Sequence, residues 1–291
     1  MKPATRVALV LPPKEGFGMA EAGAISLIVR DLAESIEQDW TPVVVGNHTH
    51  GPTFPGIAFE PLRPPPLAGL LGRNRRYALG VSVLLRRLRP AIVEVHNRAD
   101  LAARLARSMA PTPVILVLHN DPQGMKQAGD AAGRTLLLRR VAAVCCVSGY
   151  IRDRLIEGVT DPAALARAHV MNNGLPLDTL PEPAAERAPV ILFVGRVTHE
   201  KGADSFVAAC ALALPRLPGW RAAMIGADRI RTDSPTTPFI RQVSLAAEAA
   251  GIEMLGFVPN HATLARFAQC GIAVVPSRWH DPFPRVAQEA M

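Results

Sequence analysis

Short, continuously apolar runs return along the whole chain, and the stretches between several of them carry helical periodicity. This alternation restricts the fold more than any other feature. The early runs are "VALVL" (7–11), "PVVVG" (42–46), "IVEVH" (92–96), "VILVLH" (114–119), "AAVCCVS" (142–148) and "HVMNN" (169–173). Helical patterns cover 22–37, 74–89, 100–108, 132–140 and 149–157. A strand that is apolar on both faces is buried on both faces, which alternating half-buried strands are not. Strand and helix in alternation predict parallel βαβ units.

The rhythm breaks at "GLPLDTLPEPAAERAP" (174–189), where prolines and acids crowd together as they do in linkers. A second series then begins with "VILFVG" (190–195), "AAMIG" (222–226), "EMLGFV" (253–258) and "IAVVP" (272–276). The expected organisation is an α/β chain of two doubly wound, Rossmann-like domains, 1–174 and 189–291, joined by a linker at 175–188. In such folds ligands gather where strand C-termini and helix N-termini converge, here in a cleft between the domains. The second series stops as the helix after its fourth strand begins, so a truncated second domain is expected. "PLRPPPL" (61–67) reads as a stiff surface loop.

Composition narrows the partners. With 291 residues and 49% hydrophobic content, the chain can bury an ample core. A formal net charge of +7 favours anionic partners without choosing among phosphate, nucleic acid and membrane surface. The four cysteines (Cys145, Cys146, Cys210 and Cys270) form no C-x-x-C pair, which argues for a reducing compartment and against a zinc site. No run approaches the roughly 18 apolar residues of a membrane span. Aromatic residues are too sparse to support nucleic-acid stacking.

Two segments carry chemistry. In "FVGRVTHEKGADSFVAA" (193–209) a strand runs into Gly195 and Arg196, then a short loop, Lys201, Gly202 and a helix. A helix N-terminus with two flanking cations can hold a diphosphate. Spacing alone favours two solvated surface cations over such a clamp. In "VVPSRWHDPFPRVAQEA" (274–290) a strand passes through a proline-rich turn into a helix, with Asp281 at the strand rim and Glu289 a turn into the helix. Two acids so arranged can accept hydrogen bonds from hydroxyl-rich ligands. Taken singly, they read as a helix cap and a solvated face.

Together the two segments resemble glycosyltransferase family 4, whose usual patterns are G-R-x-x-x-E-K-G and E-P-F-G-x-x-x-x-E-A-M. The resemblance extends to "VLPPKEGFGMAEAGAIS", "IVEVHNR", "LVLHNDP" and "MNNGLP" in the first half. It implies a GT-B fold and a retaining hexosyltransferase that uses a nucleotide-sugar as substrate, with no metal and no cofactor. Arg196 and Lys201 would hold the donor diphosphate, and Gly16, Gly18 and Gly195 would approach it. Asp281, with Phe283 beside it, would bind donor-sugar hydroxyls, and Glu289 the ribose. Phe257 and Val258 lie in a segment whose backbone would meet the base. His119 would contact the donor sugar near the reacting centre; without the resemblance it reads as a core histidine. The catalytic set is therefore His119, Arg196, Lys201 and Asp281. Two departures stand out: Asp281 replaces a Glu, and Pro284 replaces a Gly and removes one backbone donor.

The resemblance also implies a saccharide or lipid-linked acceptor, a role in polysaccharide or lipopolysaccharide synthesis, and a cytoplasmic location. Two other functions stay open, a sugar-nucleotide epimerase of the same fold and a non-catalytic nucleotide-sugar binding module. The segment "RNRRYALGVSVLLRRLR" (73–89) sets Tyr77, Val81, Leu84, Leu85 and Leu88 on one helical face ringed by arginines. An ordinary crossover helix explains it better than peripheral contact with an anionic membrane, which stays open.

Overall fold

Strand formation follows the apolar runs. In a computed structural model that describes residues 5–19, 21–63, 72–228 and 237–291, the chain divides into two compact units, Met1–Gly174 and Leu175–Met291. Residues 64–67 of the proline-rich loop lie outside the described residues.

The first unit holds a seven-stranded sheet in the order β3-β2-β1-β4-β5-β6-β7. Its strands are β1 (Thr5–Val10), β2 (Trp40–Gly46), β3 (Ala58–Pro61), β4 (Ile92–His96), β5 (Val114–Leu118), β6 (Ala143–Cys146) and β7 (Ala168–Val170). All pairs are parallel. The crossovers are α1 (Ala24–Ser35), α2 (Arg73–Leu88), α3 (Ala99–Ser108), α4 (Ala131–Arg140), α5 (Gly149–Ile156) and the short α6 (Pro162–Leu165). Strand order reverses between β1 and β4, so the ends of these two strands frame a crevice.

On one face of this sheet Val7, Leu9 and Val44 pack with Phe17, Val29, Ala33 and Phe54. Along α2, Tyr77, Val81, Leu84 and Leu85 are buried while Arg73, Arg75, Arg76, Arg86, Arg87 and Arg89 point outward. The apolar face of this helix is thus spent on the protein interior. Of its large apolar residues, Leu79 and Val83 are the exposed ones.

The second unit holds a four-stranded parallel sheet in the order β10-β9-β8-β11. These strands are β8 (Ala188–Val194), β9 (Arg221–Ile225), β10 (Glu253–Met254) and β11 (Cys270–Val274); the helices are α7 (Ala203–Ala213), α8 (Pro238–Ala249), α9 (Asn260–Gln269) and α10 (Arg285–Ala290). Alternation along the strands builds two cores. Ile191, Phe193, Ala222 and Met224 face Phe206 and Val207 of α7 and Val243 and Ala247 of α8. Leu192, Ala223 and Ile225 face Leu264 and Phe267 of α9, with Val286 and Ala290 of α10 against them. Helices on both faces make the unit doubly wound, and its strand order again reverses, between β8 and β11.

Several element boundaries differ from the sequence reading. The strand expected at 253–258 stops at Met254, because Gly256 turns left-handed with φ of 65°. The run at 142–148 ends at Cys146, since Ser148 caps α5 by accepting a hydrogen bond from the Ile151 amide at 3.4 Å. β3 and α6 were not anticipated. β3 is a four-residue edge strand closed by Pro61, too short for its alternation to register.

Candidate functional site

In the second unit the candidate residues meet at the carboxyl ends of β8 and β11. β8 leads into Gly195 and then to Val197, which is fully buried and donates its amide to the Ala227 carbonyl at 3.0 Å. Burial of Val197 turns its neighbour Arg196 outward, where its exposed guanidinium makes no hydrogen bond or ion pair among the described residues, although its charge helps hold the Glu200 carboxyl below the usual range. Gly202 caps α7 in the left-handed region at φ of 69°. A Cβ there would lie 2.1 Å from the Pro276 carbonyl oxygen, so only glycine lets the loop after β11 approach so closely.

That approach joins motifs 80 residues apart in sequence. Lys201 Nζ meets Asp281 Oδ2 in a half-buried ion pair. The same ammonium sits 5.5 Å from the centre of the Trp279 ring. Arg278 clips the loop down: its amide donates to the Glu200 carbonyl at 2.8 Å, and its guanidinium grips both Asp204 oxygens at 2.8 and 2.9 Å and Ser205 Oγ at 2.6 Å. Burial raises the Asp204 carboxyl, but the hydrogen bond and charge of Arg278, with the Asp204 and Ser205 amides, outweigh it and hold the group below the usual carboxylate range.

Glu289 is nearly closed to solvent. Its Oε1 accepts from Arg285 Nε at 2.7 Å and from Asn260 Nδ2 at 3.0 Å. Phe257, Val258 and Phe283 are half-buried; the Val258 carbonyl accepts from Thr263 Oγ1 at 3.3 Å. Pro284 stands as the N-cap of α10, with its carbonyl taking the Ala287 amide at 3.0 Å. Arg196 is thus a cation of this cluster with no ion pair among the described residues, with Glu200 the carboxylate its charge reaches, whereas Lys201 is paired. An anion arriving at Lys201 competes with Asp281.

In the first unit the candidates lie at the ends of β1, β4 and β5. Phe17 anchors the loop after β1; it is fully buried, edge-on to Phe54 at 5.1 Å and stacked on Phe59 at 5.4 Å. Gly16 and Gly18 flank this anchor. The Glu21 side chain fills the space beside Gly16, and the Pro52 carbonyl that beside Gly18. A side chain at either glycine would therefore meet protein atoms.

His119 is 7% exposed and follows β5. Its Nε2 lies 3.0 Å from His96 Nδ1, and the two rings stack at 5.3 Å. His96 Nε2 in turn lies 2.9 Å from Glu94 Oε1, a contact whose angle falls short of an aligned hydrogen bond. Asn97, left-handed at φ of 56°, accepts from the His119 and Asn120 amides at 3.2 and 3.1 Å. Burial first, and the charge of His96 second, push the His119 imidazole well below its ordinary value. The sequence reading missed Glu94, His96, Arg278 and Trp279. "IVEVHNR" held a signal, an acid and a histidine on the same face of one strand, but burial made them read as core.

All four cysteines are free thiols. Burial pushes Cys146 up to about 12, with the neighbouring Cys145 adding to the rise. A cavity of about 460 Å³ lies elsewhere in the first unit, lined by Arg104, Arg107, Arg140 and Gln127 and by none of the motif residues. Among the described residues no helix is long and apolar enough to cross a membrane.

Known proteins resemble this chain in sequence and in fold. The curated relatives include a 2-deoxystreptamine N-acetyl-D-glucosaminyltransferase of Streptomyces fradiae, 29% identical over 261 residues, an alignment covering 77% of this chain and 59% of that protein. The chain thus spans little more than half the length of that relative. Among solved structures, sucrose-phosphate synthase from Thermosynechococcus elongatus superposes with a TM-score of 0.72 at 18% identity, covering 98% of this chain and 78% of that one. The Anabaena protein HepE, in complex with UDP-glucose, superposes with a TM-score of 0.69 at 17% identity, covering 98% and 77%. These structural likenesses establish the GT-B fold. The family model described as Glycosyltransferase Family 4 matches residues 25–179, and that described as Glycosyl transferases group 1 matches residues 180–291. The chain belongs to glycosyltransferase family 4.

Proposed function

We propose that this protein transfers a hexose from a nucleotide-sugar to an acceptor hydroxyl with retention at the anomeric carbon. The reading is carried by the junction at β8 and β11, where Lys201 of one motif touches Asp281 of the other and the exposed Arg196 side chain, in the same loop as Lys201, has no ion pair among the described residues. Arg196 and Lys201 would neutralise the charge that develops on the departing diphosphate. Asp281 would exchange part of its hold on Lys201 for a donor hydroxyl; an ionised carboxylate has about four lone-pair sites and can serve both. Glu289, steadied by Arg285 and Asn260, would receive a ribose hydroxyl. The acceptor oxygen would attack the face that the nucleotide leaves, and the leaving phosphate would take its proton. The work left to the protein is orientation and charge stabilisation.

The relatives suggest the first probes. HepE was crystallised with UDP-glucose, and the Streptomyces relative is named for N-acetylglucosaminyl transfer. The acceptor would be a saccharide or a lipid-linked saccharide, in polysaccharide or lipopolysaccharide synthesis, at the cytoplasmic face of the membrane. UDP-, GDP- and ADP-sugars should be screened for binding by calorimetry and for transfer to saccharide acceptors. Arg196→Ala should lower turnover by roughly 10²-fold with the fold intact. Near-normal turnover would remove the clamp. Conversion of the sugar-nucleotide without an acceptor would identify an epimerase, and tight binding with no turnover a binding module.

A further inference from the structure

We propose that the cavity between α3 and α4 is a second anion site, which takes a phosphoryl group as a phosphate monoester or a diphosphate. It lies within the first unit and shares no residue with the motif cluster at β8 and β11. α3 and α4 each begin beyond the strand ends that carry His96 and His119, so their last turns, with Arg107 and Arg140, lie toward the other end of the sheet.

Arg104, Arg107 and Ser108 of α3, Gln127 of the loop before α4 and Arg140 at the end of α4 line about 460 Å³, within the roughly 300–1,000 Å³ of small-molecule sites. Among the described residues no acid lines it. Arg104, Arg107 and Ser108 stand at i, i+3 and i+4, one stripe of the helix, where Cβ atoms lie about 5–6 Å apart. Arg140 comes from the neighbouring helix, and packed helices lie about 8–10 Å apart axis to axis. Three long side chains can therefore close on one anion from two sides.

These charges remain after the nearby acids are spent. Asp100, one turn before Arg104, is held by Arg98 through both oxygens at 3.0 and 2.9 Å. Asp161 pairs with Arg139 at 2.6 Å. Asp130 caps α4, accepting from the Gly133 amide at 2.7 Å. The carbonyls that end α4 do not need Arg140 either, because Arg167 donates to those of Leu138, Arg139 and Val141. The side chains of Arg104, Arg107 and Arg140 make no hydrogen bond or ion pair among the described residues. Like charges three apart on a helix repel. A solvated face gains nothing from that arrangement, whereas a dianion satisfies it. The guanidinium fork matches phosphate oxygens, and three such cations balance a phosphoryl dianion better than a single carboxylate.

A buried cation steadies the Gln127 side of the cavity. Gln127 is held in the left-handed region at φ of 68°, a costly conformation for a residue with a side chain. The buried Arg134 guanidinium donates to the Ala128 and Gly129 carbonyls, both at 3.1 Å, and pins the loop beside it. The Gln127 side-chain amide supplies a neutral donor to the same space.

The test is calorimetric titration of the whole chain with inorganic phosphate, at constant ionic strength set with chloride. Arg196→Ala is the background, so that anion binding in the second unit is weakened. Saturable binding should appear, and adding Arg104→Gln with Arg140→Gln should weaken it roughly tenfold or more. In chloride that variant should melt no lower than its parent, since a like-charge pair is removed. No saturable binding, or equal binding in the variant, overturns the site. Phosphate also raises melting temperatures without a site, so the gain over chloride is compared between variant and parent, and equal gains count against the proposal. If the double variant does not fold, Arg107→Lys keeps the charge and loses the fork; unweakened phosphate binding in that variant overturns the site. Glycerol phosphate and vesicles containing phosphatidic acid then separate the two sources of the group. A lipid headgroup should carry the parent down with the vesicles and release the double variant, whose α2 arginines are intact. A free phosphoester should bind in solution while parent and variant sediment alike. Either result supports the site, and failure of both arms overturns it.

Discussion

His119 is the residue whose chemistry departs furthest from its ordinary behaviour. Burial and the nearby His96 charge hold it neutral well below its usual value of 6.5. An unfolded chain would take up that proton more readily, so acid favours unfolding. This contribution to stability is complete above about pH 6.5 and is lost as pH falls below it, by up to about 1.4 kcal/mol per pH unit. Urea unfolding at a series of pH values should show the slope, and His119→Gln should flatten it; an unchanged slope in that variant would assign the effect elsewhere. From sequence His119 was legible as a candidate only through its family context. Its partners were not, because a histidine and an acid two apart on a buried strand look like packing until the neighbouring strand is placed. Lys201 and Asp281 were each legible as candidates too. Their pairing was not, since no spacing rule links residues 80 positions apart.

At the scale of elements, the loop after β11 and the start of α7 behave as one piece. Gly202 permits the contact, and Arg278 fastens it through Asp204, Ser205 and the Glu200 carbonyl. Gly202→Ala would set a side chain in the left-handed region and drive its Cβ into the Pro276 carbonyl. The expected loss is on the order of 1–3 kcal/mol of stability, together with weaker nucleotide binding, measured by urea unfolding and calorimetry. Retention of both would mean that the loop can part from the helix without consequence. Most elements could be read from the sequence because buried parallel strands are apolar along their whole length. Those that escaped were two four-residue elements, β3 and α6, where too few residues exist to establish a period. α2 was read correctly as a crossover helix whose apolar residues face inward.

Over the whole molecule, charge is the property that the fold does not consume. The net charge is +7, and the arginines of α2 stand outward, with only Arg87 in an ion pair among the described residues, to Glu60 at 2.7 Å. With the apolar face of α2 buried, any hold on an anionic membrane would be electrostatic. Cosedimentation with anionic vesicles should then appear at low salt and vanish at physiological salt, within the reach of Debye screening. Binding that persists at high salt would require an apolar anchor instead. The chain also has three tryptophans, and their environments differ. Trp40 and Trp220 pack against the cores of their own units, whereas Trp279 is 37% exposed beside the Lys201 ammonium. The molecule therefore contains its own optical gauge. A diphosphate that draws Lys201 away from the indole should alter the emission of one fluorophore in three, and Trp279→Phe should silence the change while leaving the rest of the spectrum as background.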